Sequence, residues 1–284
     1  MISRYEIKFQ ITNEQKQRFV DAARVGLKPD PFGVNACYRV SSVYYDSSDL
    51  DFYWEKIDGE SIRRKLRLRF YGVPKSPNQF DDQVFFLELK HRVKNSVGKE
   101  RVQLTNEGAL AILSDAHELD HLRKYVVKED QSQNETISVM ESLQSVMRFQ
   151  AANTITYQRE AWMGNVDPRL RLTFDQFPSV LSPNAYGKVG HRPGSPLIPA
   201  GDVIMEIKFN QSVPRWLRDI VAEQGLIPQR FSKYATGIDC LWQPLGRDIS
   251  HQRAIRIPDS SEQNQQQRVF ETINKEELKE VVFQ

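Results

Sequence analysis

The stretch Ser61-Ile62-Arg63-Arg64-Lys65-Leu66-Arg67-Leu68-Arg69-Phe70-Tyr71 decides how this chain folds. Read with the two-residue period of a strand, Arg63, Lys65, Arg67 and Arg69 share one face, and Leu66, Leu68 and Phe70 share the other with Arg64. Phe85-Phe86-Leu87-Glu88-Leu89-Lys90-His91-Arg92 repeats the alternation, with Glu88, Lys90 and Arg92 against Leu87 and Leu89. Gly98-Lys99-Glu100-Arg101-Val102-Gln103-Leu104 does so again, with Lys99 and Arg101 opposite Val102 and Leu104.

Like charges two residues apart on a strand sit about 7 Å from each other. At an effective dielectric near 20 they repel by about 2 kcal/mol, and like charges on neighbouring strands add to that cost. A face that only meets water mixes signs and uses Thr, Ser and Gln. Repeated rows of one sign are understandable if a polyanion lies against them.

Working outward, Arg4 to Ile11, Ala36 to Tyr45, Ala152 to Arg159, Arg169 to Phe174 and Val203 to Asn210 also read as strands. Short helices are expected after Thr12, from Leu50 to Ile57, through much of Thr105 to Gln150, and after Pro214. Nothing suggests parallel βαβ units. The expected fold is α+β: eight antiparallel strands closed into a barrel, with a polar, basic lumen and apolar outer faces covered by helices. Residues 1–245 form this domain. From residue 246 the composition turns polar, with an amphipathic helix expected at 268–284.

The chain has 284 residues and a net charge of only +2, so non-specific nucleic-acid binding through global charge is not expected. The basic residues are concentrated by position, not by excess. Cys37 and Cys240 are far apart and lack metal-ligand spacing, which fits a reducing compartment. No leader and no membrane-length apolar run is legible, so a cytoplasmic location is expected.

Lys8, Lys65, Arg67, Arg69, Lys90, Arg92, Lys99, Arg101, Arg159, Arg171 and Lys208 all take the polar phase of their strands. So many cations around one lumen suggest several phosphates in a row. Glu-x-Lys recurs at Glu6-Ile7-Lys8, Glu88-Leu89-Lys90 and Glu206-Ile207-Lys208. These glutamates suit either salt bridges across the lumen or a hard cation shared with phosphate oxygens, with Glu206 the first choice as metal ligand and Glu88 and Glu6 behind it. His117-Glu118-Leu119-Asp120-His121 matches the zinc-protease spacing, with Glu141 as a conceivable third ligand. It stands in a charged segment with no apolar helix behind it, which favours a solvent-facing helix.

Lys8-Phe9, Leu66 to Gly72, Phe86 to Lys90, Leu170 to Asp175, Met205 to Lys208 and Phe231-Ser232-Lys233-Tyr234 occur in this order across residues 3–242. Together they resemble the catalytic domain of the vacuolar transporter chaperone (VTC) complex, a polyphosphate polymerase within the triphosphate tunnel metalloenzymes (CYTH-like). The resemblance implies a tunnel of eight antiparallel strands that takes the γ-phosphate of ATP, adds it to polyphosphate and releases ADP with Mn²⁺ or Mg²⁺. It assigns Lys8, Arg67, Arg69, Lys90, Arg171 and Lys233 to phosphate, with Ser232 beside them and Glu206 on the metal. Lys99, Arg159 and Arg230 sit in less distinctive surroundings.

Hydrolytic members of the superfamily typically open with Glu-x-Glu-x-Lys, whereas here the first position is Arg4. That departure favours the polymerase branch over a triphosphatase, and a module that binds polyphosphate without turnover is the third alternative. The membrane and phosphate-sensing domains of the complex are not found in this sequence, which implies a stand-alone version.

Overall fold

The computed structural model describes residues 4–75, 80, 83–93, 96–127 and 131–242. The polar region from residue 246, with the helix expected at 268–284, lies outside the described residues. Ten strands form a single antiparallel sheet. They are β1 (Arg4–Thr12), β2 (Leu27–Pro29), β3 (Cys37–Asp46), β4 (Ile62–Tyr71), β5 (Phe85–Val93), β6 (Ser96–Leu104), β7 (Gln150–Gly164), β8 (Arg171–Leu181), β9 (Ser195–Pro196) and β10 (Asp202–Asn210). Eight of them run in the order β1-β10-β8-β7-β3-β4-β5-β6, while β2 and β9 attach to β7 and β8.

The ring of strands does not close, which corrects the expected eight-stranded closed barrel: β1 and β6 end the sheet without pairing to each other. Other backbone segments occupy both free edges. Thr105 and Val127 donate to Tyr125 and Gln103 along the end of β6, and Gln229 donates to the carbonyl of Lys8 on β1. Edges covered in this way have fewer groups left for a closing ladder.

The sheet is still strongly curled, because side chains from its two halves meet. Lys90 on β5 lies in the field of Glu6, Lys208 and Glu206 on β1 and β10, and Lys65 on β4 in that of Lys8 and Glu6 on β1.

Among the described residues six α-helices pack outside: α1 (Asn13–Ala23), α2 (Asp51–Ile57), α3 (Asn106–Ser114), α4 (Gln131–Met147), α5 (Arg215–Glu223) and α6 (Lys233–Trp242). The chain starts α1 where Thr12 and Gln15 form a reciprocal capping box, which satisfies two otherwise orphaned backbone N–H groups. Its stripe Phe19, Val20 and Ala23 is buried with Phe9, Leu172, Phe174, Met205 and Ile207, and with Leu217 and Ile220 of α5.

A second core joins Leu66, Leu68, Phe70, Phe85, Leu87, Leu89 and Val102 to Ile112, Leu119, Leu122, Ile137 and Met140. Apolar residues therefore face outward onto helices on both sides, and the charged phase is left to line the inside. Arg64, which shares the apolar phase, follows the same rule: it is buried outside the lumen, paired to Glu55 and lying over the Phe52 ring.

Candidate functional site

Backbone register sorts the inward side chains into rungs. On β4, β5 and β6, Arg63 pairs with Arg92, Lys65 with Lys90 and Lys90 with Lys99, and Arg67 with Glu88 and Glu88 with Arg101. On β1, β10 and β8, Glu6 pairs with Lys208 and Lys8 with Glu206. One half of the lumen thus alternates in sign within each rung, whereas the other half is almost uniformly positive.

Two buried carboxylates organise the cations. Glu88 is completely buried; its Oε2 takes Arg67 Nη2 at 2.6 Å and its Oε1 takes Lys99 at 2.8 Å and Arg101 Nη2 at 2.5 Å, with Arg69 at 3.7 Å. Burial alone would raise its pKa, but Arg67, Arg69 and Lys99 hold it far below the usual carboxylate range.

Glu206 takes Lys208 at 2.7 Å, Lys233 at 3.1 Å, Arg159 at 3.5 Å and Lys8 at 3.7 Å. Burial pushes it up, and Lys208, Lys233, Lys8 and Arg159 together bring it well below that range. Asp175 shares the same cations, with Arg159 Nε at 2.6 Å and Lys233 at 2.5 Å.

Helix α6 carries two more of the expected residues to the lumen. Ser232 Oγ accepts from the N–H of Ala235 and so caps the helix, and it accepts from Lys65 Nζ at 2.9 Å. Lys233 follows as the first helical residue, its ammonium over the Tyr157 ring. The helix is fixed from behind by Tyr234, whose hydroxyl donates to buried Asp46, and Asp46 also accepts from the N–H groups of Phe52 and Tyr53 at the start of α2.

The expected residues therefore fall into several places. Lys8, Arg159, Lys208 and Lys233 gather at Glu206, and Arg67, Arg69, Lys99 and Arg101 at Glu88. Lys65 and Lys90 stand between, with no carboxylate on their own rung. Burial above all, and then neighbouring cations, lowers the pKa of both: Lys65 to about 7 and Lys90 well below its ordinary value.

Arg92 and Arg230 lie at a rim, exposed, in the field of Arg63. Arg171 is drawn away from the central groups: Asp30 holds it at 2.5 Å and Tyr38 at 3.0 Å.

The metal expectation separates along the same lines. Glu88 and Glu206 each have four cation partners, but among the described residues no second carboxylate shares those of the fully buried Glu88, so it acts as a counter-charge. Glu6 and Glu206 share Lys8 and Lys208, and their fields overlap. A pair of carboxylates of this kind fits a divalent ion that takes its remaining ligands from phosphate.

Among the described residues, no three His, Cys, Asp or Glu side chains stand together as a metal site. The His117–His121 motif lies on a 3₁₀ helix (Ala116–Tyr125) broken at His121, so the one-turn spacing that the zinc pattern needs is absent. Glu118 accepts from Tyr125, and Glu141 from the N–H of Arg123.

Sequence reading gave no role to Asp175, Asp30, Tyr44 or Asp46. Asp175 was within reach, since it continues the alternation of Arg171 and Thr173. Asp30 sits between two prolines with no periodicity to mark it.

A family model described as the VTC domain matches residues 3–242. The Schizosaccharomyces pombe vacuolar transporter chaperone complex subunit 4 is 22% identical over 235 residues, which covers 72% of this chain and 32% of that protein. The chain thus spans about a third of the length of this relative. The structure of the Hippeastrum protein HpAC1, for which a dominant triphosphatase activity is described, overlays with a TM-score of 0.50 at 14% identity, covering 83% of this chain and 95% of that one. It shares the tunnel fold.

Proposed function

The chain belongs to the VTC domain family, and from that premise we propose that it is a metal-dependent polyphosphate polymerase, moving the γ-phosphate of ATP onto a growing chain and releasing ADP. The observation that carries this reading is the Lys65–Lys90 rung. It is flanked by two cation clusters that have their own carboxylates, and it has none itself. A row of phosphates laid along the lumen supplies the missing charge at Lys90, while Lys65 turns to Ser232.

In this reading Lys8, Arg67, Arg69, Lys90, Arg159, Lys208 and Lys233 hold the phosphates in line and neutralise charge on the transferring group. Such charge-assisted contacts are strong at side chains as buried as Arg69, Arg159 and Lys233. A divalent ion, when bound with Glu206 and Glu6, supplies Lewis-acid polarisation of phosphate oxygens. The attacking oxygen of a phosphate chain end is already largely deprotonated, so no strong general base is required.

A second reading, triphosphate hydrolysis, is favoured by the likeness to the tunnel fold of HpAC1. Arg4, where the hydrolytic pattern has a glutamate, weighs against it. The test is to incubate the purified protein with ATP and Mn²⁺ or Mg²⁺ and to separate acid-insoluble polymer from orthophosphate. Polymer supports the first reading. Orthophosphate alone supports the second, and binding without turnover removes both.

A further inference from the structure

The pair Lys65 and Ser232 has a chemistry that holding a phosphate does not use. Ser232 is nearly buried, and its Oγ faces the Lys65 ammonium at 2.9 Å. As the cap of α6 it sits where the helix N-terminus favours negative charge on an oxygen. Lys65 reaches this point from β4 among the cations Lys8, Lys56 and Arg67, an environment that favours its neutral, proton-accepting form. A hydroxyl within hydrogen-bond reach of a desolvated lysine is the arrangement of Ser-Lys nucleophilic sites.

We propose that Ser232 is a nucleophile, activated by Lys65, that takes the first phosphoryl group from a nucleoside triphosphate and so becomes the covalent primer of the chain. The inference rests on the triphosphate reading given above. In the step, Ser232 Oγ attacks the γ-phosphorus and its proton passes to Lys65 Nζ. The Oγ–P bond forms while the bond from phosphorus to the β,γ-bridging oxygen breaks, and the nucleoside diphosphate leaves with that electron pair. The product is phosphoserine beside a lysine ammonium, and its terminal oxygen is the acceptor for the next γ-phosphoryl group.

The experiment uses the full chain with ATP labelled at the γ-phosphorus and Mn²⁺, quenched in acid at early times and mapped by peptide mass spectrometry. Label is expected on Ser232 before long polymer accumulates. Lys65→Met should slow labelling by about 10²- to 10⁴-fold, the range for loss of a general base. Ser232→Asn, which keeps a capping side chain for α6, should abolish the label and leave a lag before polymer forms. Polymer or orthophosphate produced at the normal rate with no label on Ser232, or by Ser232→Asn without a lag, overturns the phosphoenzyme alone. No label together with no consumption of ATP overturns the triphosphate reading as well.

Discussion

Lys65 and Lys90 stand directly opposite each other on β4 and β5, on the face turned to the lumen. The ordinary lysine value is 10.5, and the folded value for Lys65 is about 7, so between these pH values the unfolded chain binds the extra proton. Stability from this group therefore rises with pH from about 7 to 10.5 and is lowest below 7. Burial sets it first, followed by Lys8 on β1, Lys56 on α2 and Arg67 on its own strand, with Glu6 on β1 opposing them; Lys90 and Ser232 also face it. Urea unfolding at pH 7 and pH 9 should show a gain for the native chain, and Lys65→Met should reduce it, the remainder coming from Lys90 and Lys99, whose values are also lowered. An equal gain in the variant would mean that Lys65 is not the group responsible.

Glu88→Gln leaves Arg67, Arg69, Lys99 and Arg101 facing one another without their counter-charge. Breaking one partner out of a buried ion group costs about 3–5 kcal/mol. The midpoint of denaturation should fall accordingly, and added tripolyphosphate should restore more of it than in the native chain. If the variant is as stable as the native chain in buffer alone, the neutralising role of Glu88 is wrong.

Glu206→Gln should remove turnover by at least about 10²-fold, the scale for losing one preorganised electrostatic partner of a transition state. The dependence on Mn²⁺ or Mg²⁺ should weaken with it. Steady-state rates across a metal titration check this; a variant with native rate and native metal dependence would move the ion elsewhere.

Tyr234→Phe deletes the hydroxyl that ties α6 to Asp46, and Asp46→Ala strands the N–H groups of Phe52 and Tyr53 as well. An unsatisfied buried donor costs about 1–3 kcal/mol. Asp46→Ala should therefore be clearly the more destabilising of the two by chemical denaturation, and equal losses would mean that its bonds to the Phe52 and Tyr53 N–H groups add nothing.

The inward and outward phases of β1, β4, β5, β8 and β10 were legible because each strand alternates along most of its length, and so were the helix after Thr12 and the helix ahead of Ile57. What depends on distant partners was not. Strand β7 runs to Gly164, beyond the expected end at Arg159, because its later residues pair with β2 and β8, which local periodicity does not reveal.

The region from Phe177 to Gly201, rich in Pro and Gly, holds the end of β8, a 3₁₀ turn and β9. Ring closure was inferred from a strand count, and a count says nothing about which segments reach a free edge first. At the site, the cations carried a periodic signature, but only one of the missed carboxylates did. Asp175 alternates with Arg171, while Asp30 comes from a loop and Asp46 from a strand end, so neither could be placed before the chain was folded.

The margins of β1 and β6, which do not pair with each other, bear on how a polymer would be handled under the proposed function. A cylinder laced by main-chain hydrogen bonds around its whole circumference has a fixed bore, and its contents can only be threaded through its ends. A rolled sheet with a seam lacks that closing ladder, and Lys65 of β4 meets Ser232 ahead of α6 through side chains alone. Under the proposed function, a short substrate and a long product would meet a bore whose width is set by side chains and not by a closed ladder.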